Sequence, residues 1–92
     1  VERFDALFGL ACTYRSLGQY TEALSYFEQT IAEYPESLEV QPFYAMCLYN
    51  LGRHKEATSL LLELLVSTTN SEAIKEYQRA ISLYAKDLDK TW

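Results

Sequence analysis

The side chains best suited to chemistry are two cysteines, Cys12 and Cys47, and the single histidine, His54. Such residues can hold a metal ion, form a disulfide or set up a thiol nucleophile beside an imidazole base. Their spacing matches no zinc motif, and no further His or Cys lies nearby. We therefore expect two reduced, mostly buried thiols. We favour these over a disulfide because nothing in the sequence indicates secretion.

The acidic side chains give no stronger sign of catalysis. Glu22 and Glu56 recur at matching positions, where a structural or solvent-facing role explains a carboxylate better than acid–base work. No residue pairs with His54 as a nucleophile, so we expect His54 to be a packing or surface residue. A Gly-rich phosphate loop is also missing from the sequence. The sequence therefore predicts a protein that is not an enzyme and that uses no cofactor and no metal.

Composition favours one small domain over the whole chain. The 92 residues are 49% hydrophobic and include only 3 glycines and 2 prolines, which favours long helices over short strands. The net charge of −5 comes without a basic stripe, so we expect no nucleic-acid binding and a cationic or largely apolar partner. The longest nearly apolar run, at 60–66, is too short to span a bilayer. With no signal peptide, a cytoplasmic protein without a membrane partner is predicted, although a start at Val leaves open an excised domain.

Apolar residues in the first third of the chain recur at steps of three and four, which is helical spacing. The first pattern covers 4–17 and stops at Gly18, and the second covers 20–34 and stops at Pro35. Because so few residues separate the two patterns, the helices must fold back as an antiparallel pair.

The middle third repeats this plan. Ser37 is the expected N-cap of a third helix, and Pro42 should lie in its first turn. The fourth helix covers about 54–66, where Leu60 and Leu62 make it apolar around most of its circumference. A helix of that kind is usually covered on both sides, so something must pack on its far face.

A fifth helix is predicted for the last segment. Asn70 or Ser71 can cap its start, and apolar residues then recur at helical steps. These expected core-facing residues are Ile74, Tyr77, Ile81, Tyr84 and Leu88. The sequence thus predicts an all-α fold of five helices and no strand.

Two stretches, SLGQYTEA at 16–23 and NLGRHKEA at 50–57, show that the plan is an internal repeat. Their glycines, Gly18 and Gly52, lie 34 residues apart. The period and pattern resemble the tetratricopeptide repeat, a helix–turn–helix unit. The first unit carries the motif on Leu7, Leu10, Ala11, Tyr14, Ala23, Phe27 and Pro35. The second carries Tyr44, Ala45, Leu48, Ala57 and Leu61, with Gln41 and Thr69 where Trp and Pro are expected.

The resemblance implies an α–α superhelix of two units and a cap. Repeat 1 would cover about 4–37, repeat 2 about 38–70, and a solvating capping helix about 71–89. Large residues such as Phe27 and Leu61 would fill the gap between paired helices. A finer resemblance, carried by FYAMCLYNLGRHKEATSLLLELL and YQRAISLYAKDL, is to a bacterial domain of this family with no assigned activity.

For function, the resemblance implies a protein–protein interaction module that binds a peptide or partner protein in a concave groove. Groove positions carry over to Asp5, Phe8, Cys12, Arg15 and Ser16 in the first unit and to Glu39, Pro42, Met46, Tyr49 and Asn50 in the second. All except Ser16, Glu39 and Pro42 form the candidate peptide groove. Within it we expect Tyr49 to contact the ligand, because a rigid amphipathic ring suits interface hot spots.

Some members of the family bind chaperone tails by clamping terminal carboxylates with Lys, Asn and Arg. Here those places hold residues such as Phe8, Cys12 and Met46, and Arg15 offers a cation only at a different position. We therefore expect no carboxylate clamp. Two alternatives to peptide binding stay open: self-association as a homodimer, and a scaffolding role as the end of a longer repeat array.

Overall fold

The computed structural model describes residues 2–91, which form helices and no strand. The helices are α1 (Glu2–Ser16), α2 (Tyr20–Glu33), α3 (Val40–Asn50), α4 (His54–Thr68), α5 (Glu72–Glu76) and α6 (Gln78–Lys86). Consecutive helices α1 to α4 pack against one another, and α6 returns to pack on α4. The predicted all-α fold of helical hairpins is confirmed.

Both hairpin turns depend on a glycine with left-handed backbone geometry. Gly18 has φ of 78° and Gly52 has φ of 81°. Residues with a Cβ atom disfavour this left-handed region, whereas glycine adopts it readily. After the first glycine, the Gln19 N–H donates to the Tyr14 carbonyl at 2.9 Å, and Arg53 repeats this bond in the second turn. This bonding is the Schellman motif, which satisfies the last carbonyls of a helix while reversing the chain.

The main core lies where α1, α2 and α3 meet. Its fully buried members are Ala11, Ala23, Phe27, Val40 and Cys47. The alanines let the helices approach closely, and the Phe27 ring fills the space between them. A second, smaller cluster of Ala45, Leu48 and Ala57 joins α3 to α4. The core therefore supports the side-by-side placement of α1 and α3.

Two of the predicted helix starts turn out differently. α3 begins after Glu39, which makes no capping side-chain hydrogen bond within the described residues, so Ser37 is not the N-cap. Ser37 instead belongs to the preceding turn, where its carbonyl accepts from the Val40 N–H at 3.2 Å. The Ser71 cap is confirmed, since its hydroxyl accepts from the Ile74 N–H at 3.3 Å.

The predicted capping helix is divided at Tyr77 into α5 and α6, which corrects the count within residues 2–91 from five helices to six. Tyr77 is 64% exposed, so its expected core position is wrong. None of the five residues of α5 is buried, whereas α6 buries Ala85. Among the described helices, α6 is therefore the part of the cap that packs closely on α4.

Candidate binding groove

The outward faces of α1 and α3 form the candidate groove, since both helices pack against α2 and touch each other. Side chains three or four positions apart share one face of a helix, so a sequence pattern can nominate one set on each helix. We call the following seven residues the groove set: Asp5, Phe8, Cys12, Arg15, Met46, Tyr49 and Asn50. The structure places them in three different settings.

A hydrogen bond between Arg15 and Asn50 joins the two helices at one end of the groove. Arg15 Nε donates to Asn50 Oδ1 at 2.9 Å, and both residues are half-buried. The guanidinium is thereby held in place, while its Nη1 and Nη2 groups make no hydrogen bond or ion pair within residues 2–91. These N–H groups can therefore donate to a carbonyl or carboxylate oxygen of a ligand.

Beside Arg15, the side chains of Met46 and Tyr49 border an open depression of about 500 Å³. Met46 is 41% exposed and Tyr49 is 62% exposed. The Tyr49 ring lies on the His54 imidazole, with ring centroids 4.8 Å apart and planes inclined by 32°. The contact holds a large amphipathic ring at the rim, and an arrangement of this kind is common at protein interfaces.

Helix α4 supplies the other side of this depression through His54, Ala57, Thr58 and Leu61. These residues were not predicted from the sequence, because the groove positions that the family resemblance implies lie only on the first helix of each unit. Leu61 is 45% exposed, so the expectation that it fills the gap between helices is wrong. The repeat pattern aligns equivalent positions but does not show which helix covers a face, so it gave no signal for these residues.

Phe8 belongs more to the interior than to the groove. It is half-buried, and its ring lies 5.6, 6.4 and 5.6 Å from the rings of Phe4, Phe27 and Phe43, centroid to centroid. Tilted and edge-on aromatic pairs contribute about 0.5–1.5 kcal/mol each beyond the apolar area that they bury. Phe8 thus helps to fix α1, α2 and α3 relative to one another, and it does not border the depression.

Asp5 and Cys12 also lie outside the depression. Asp5 is exposed in the first turn of α1, where a carboxylate interacts favourably with the helix dipole. Burial raises the pKa of the half-buried Cys12 thiol, and nearby Arg15 offsets this only in part. The thiolate fraction at neutral pH is therefore low, and Cys12 is a poor nucleophile. Both Cys12 and Cys47 are free thiols.

The remaining carried-over positions add little to the site. Ser16 and Glu39 are exposed, Pro42 is half-buried, and all three lie away from the depression. Among residues 2–91, no three His, Cys, Asp or Glu side chains are close enough to hold a metal ion together. In that part of the chain, every helix is too short or too polar to cross a membrane.

A family model for the tetratricopeptide repeat matches residues 14–81, which is more than half of the chain. The matched segment begins within α1 and ends within α6, so it contains both glycine turns and the residues that line the depression. No curated protein matches the chain.

Proposed function

Because the chain belongs to the tetratricopeptide repeat family, whose repeats generally mediate protein–protein interaction, we propose that it binds a peptide segment of a partner protein. The family is typically a non-catalytic interaction module. The binding site is the depression bordered by Met46, Tyr49 and Arg15. The two hairpins are the two repeats, at about 4–37 and 38–70, and the segment at about 71–89 is their cap.

One observation carries the proposal: an exposed apolar surface lies next to unpaired hydrogen-bond donors. Tyr49 and Met46 together offer an aromatic ring and a flexible thioether to an apolar side chain of the ligand. Within the described residues, Arg15 has N–H groups without a partner, and these suit a backbone carbonyl or carboxylate oxygen. An extended or helical peptide with an apolar anchor and one nearby acceptor fits this arrangement.

The charge of the chain indicates which class of peptide it binds. The net charge is −5, and among the described residues Arg15 is the only basic side chain apart from His54 that borders the depression. A single guanidinium does not make a carboxylate clamp, so the proposed ligand is a neutral or basic segment rather than an acidic C-terminal tail. The free thiols Cys12 and Cys47 are typical of a protein in the reducing cytoplasm. A cytoplasmic location stays a prediction.

Peptide selection followed by direct binding tests this function. A displayed random peptide library is selected against the chain, and the enriched peptide is titrated into wild type, Tyr49→Ala and Met46→Asp by fluorescence anisotropy. Tyr77→Ala is the matched control, because Tyr77 is 64% exposed and Tyr49 is 62% exposed, yet Tyr77 lies outside the depression. Circular dichroism checks that helicity and the melting temperature stay unchanged.

We expect Tyr49→Ala and Met46→Asp to weaken binding by at least about tenfold, as loss of an interface hot spot does, and Tyr77→Ala to bind as wild type. NMR signals of Arg15 and Asn50 should shift on titration. Normal binding by both groove variants, or selection that enriches no peptide, would show that this depression is not the binding site.

A further inference from the structure

Helix α3 packs on a defined face of α2. The rings of Phe27 and Tyr44 lie 6.5 Å apart, and the Cys47 thiol donates to the Tyr20 carbonyl at 3.3 Å. Ile31 of α2 packs against the same buried cluster, which includes residues of both helices. The α2 side of the interface is thus a stripe of residues at helical spacing that begins at Tyr20 and ends at Ile31.

The 34-residue repeat places the same stripe on α4, where it is uncovered. We call its residues, His54, Thr58, Leu61 and Leu65, the α4 stripe. All four are exposed, with Leu61 at 45% and Leu65 at 39%, and no helix within residues 2–91 covers them as α3 covers α2.

Helix α6 does not take the place that α3 has on α2. It meets α4 through an ion pair between Lys55 and Asp89 and beside a pocket that Ser59 and Ala85 share. At 100° per residue, Lys55 and Ser59 point roughly 100° around the helix from the α4 stripe. The α4 stripe therefore stays open although α6 is packed on the same helix.

Helix α1 carries the complementary stripe at the other end of the chain. The α3 side of the internal interface is Val40, Tyr44 and Cys47, together with Leu51 at the C-cap of α3. Subtracting 34 gives Ala6, Leu10, Thr13 and Leu17, the last of which directly follows α1, and we call these four residues the α1 stripe. All four are exposed, with Leu10 at 41% and Leu17 at 65%. The chain thus exposes both halves of an interface whose internal copy is buried or half-buried.

The two open stripes also match each other chemically. In the internal interface, the Tyr44 hydroxyl donates to the Glu28 carboxylate at 3.2 Å. The corresponding residues are Leu10 of the α1 stripe and Leu62, which is half-buried beside the α4 stripe, so an apolar pair replaces the polar pair. Thr13 corresponds to Cys47, and its hydroxyl can donate to a backbone carbonyl as that thiol does.

We propose that the α1 stripe of a second copy docks on the α4 stripe, so that copies of the chain associate head to tail and continue the α2–α3 interface. Such an interface is heterologous, because each copy offers two different surfaces, and it can therefore extend beyond a dimer. The docked helix would lie beside α3 as α3 lies beside α1. Because His54, Thr58 and Leu61 belong both to the α4 stripe and to the depression, this helix would cover the α4 side of the depression. The proposal thus goes beyond peptide binding.

Complementation between two variants tests this arrangement. Leu10→Glu spoils the α1 stripe, and Leu65→Glu spoils the α4 stripe; neither residue borders the depression, so peptide binding is tested separately. Leu38→Glu is the matched control, because Leu38 is 43% exposed and lies on neither stripe. Sedimentation velocity of the whole chain is measured from micromolar to millimolar concentration, and circular dichroism confirms that each variant is folded.

We expect wild type and Leu38→Glu to associate with rising concentration beyond a dimer. Each stripe variant alone should lose at least about tenfold in association constant, because a charge replaces a buried leucine. An equimolar mixture of Leu10→Glu and Leu65→Glu should recover a heterodimer that grows no further, since one intact pair of stripes remains. If Leu65→Glu fails to fold, the milder change Leu65→Gln takes its place, because this position lies outside the depression.

Three results would overturn the proposal. The first is a wild-type chain that stays monomeric at millimolar concentration. The second is a mixture of the two stripe variants that stays monomeric. The third is a symmetric dimer that only one of the two variants disrupts, since that would mean one surface paired with itself.

Discussion

Phe27 and Leu61 occupy the same position in two consecutive hairpins, yet Phe27 is fully buried and Leu61 is 45% exposed. The Phe27 ring is enclosed by Phe8 of α1 and Tyr44 of α3, at centroid distances of 6.4 and 6.5 Å. Leu61 has no counterpart of α3 beside it within residues 2–91. The repeat therefore sets the type of residue, while the neighbouring helix sets its burial.

This difference predicts unequal costs of truncation. Phe27→Ala should lower the free energy of unfolding by about 3–5 kcal/mol, because it leaves a cavity in the core. Leu61→Ala should lower it by about 1 kcal/mol, since much of that side chain is already in water. Urea unfolding followed by circular dichroism at micromolar concentration measures both. Equal costs would mean that the α4 stripe is covered even in the monomer.

The two glycine turns predict a contrast with the third glycine. Gly18→Ala and Gly52→Ala should each destabilise the chain by about 1–2 kcal/mol, because alanine resists a left-handed φ. Gly9 lies inside α1, and an added Cβ would meet no described atom within 4 Å. Gly9→Ala should therefore stabilise the chain by roughly 0.5–1 kcal/mol. Thermal melts of the three variants measure these changes in stability. Equal losses of stability in all three variants would contradict the assignment of the turns to Gly18 and Gly52.

Periodicity and turn chemistry made most of the fold predictable, because these signals are local. Gly18, Gly52 and Ser71 act within a few residues of themselves, and the structure confirms the role of each. The exposure of Tyr77 and Leu61 was not predictable, because it depends on where α6 docks on α4. A helical pattern shows that a face is apolar, but it does not identify the helix that covers that face.

For the candidate site, the sequence indicated Arg15, Met46, Tyr49 and Asn50, and the structure brings these four together around one depression. Their role in binding stays a prediction. Phe8 shares the same helical face as Arg15, but its bulk and aromatic neighbours draw it inward, which side-chain spacing alone does not reveal. Residues of α4 line the depression because no helix within residues 2–91 covers them as α3 covers α2. The repeat pattern aligns equivalent positions, but it does not show whether a helix covers them.

An ion pair between α1 and α2 predicts a change of stability with pH. Arg3 Nε and Nη2 donate to the Glu33 carboxylate at 2.5 and 2.8 Å, and Gln29 donates at 3.2 Å. These hydrogen bonds, from Arg3 first and then Gln29, lower the pKa of Glu33 from 4.5 to about 2. A lowered carboxyl pKa stabilises the fold above pH 4.5, and that contribution is lost as the pH falls towards 2.

Glu33→Gln should therefore flatten the fall in melting temperature between pH 4.5 and 2. The effect should be modest and should shrink in high salt, because the Arg3 and Glu33 side chains are 59% and 35% exposed. NMR titration of the Glu33 carboxyl gives the pKa directly, and Arg3→Gln should raise it. A Glu33 pKa that is the same with and without Arg3 would rule out this ion pair in solution.

The two thiols should differ in reactivity, because Cys47 is fully buried and Cys12 is half-buried. Burial is the main cause that raises the pKa of both thiols, and only the thiolate reacts readily with iodoacetamide. Both should therefore be alkylated more slowly than in the urea-unfolded chain, with rates that still rise above pH 9. Cys47 should be slower than Cys12 by at least about tenfold, because the reagent reaches it only after local opening. Mass spectrometry of the alkylated peptides measures each site, and equal rates for the two thiols would contradict the packing of α3 on α2.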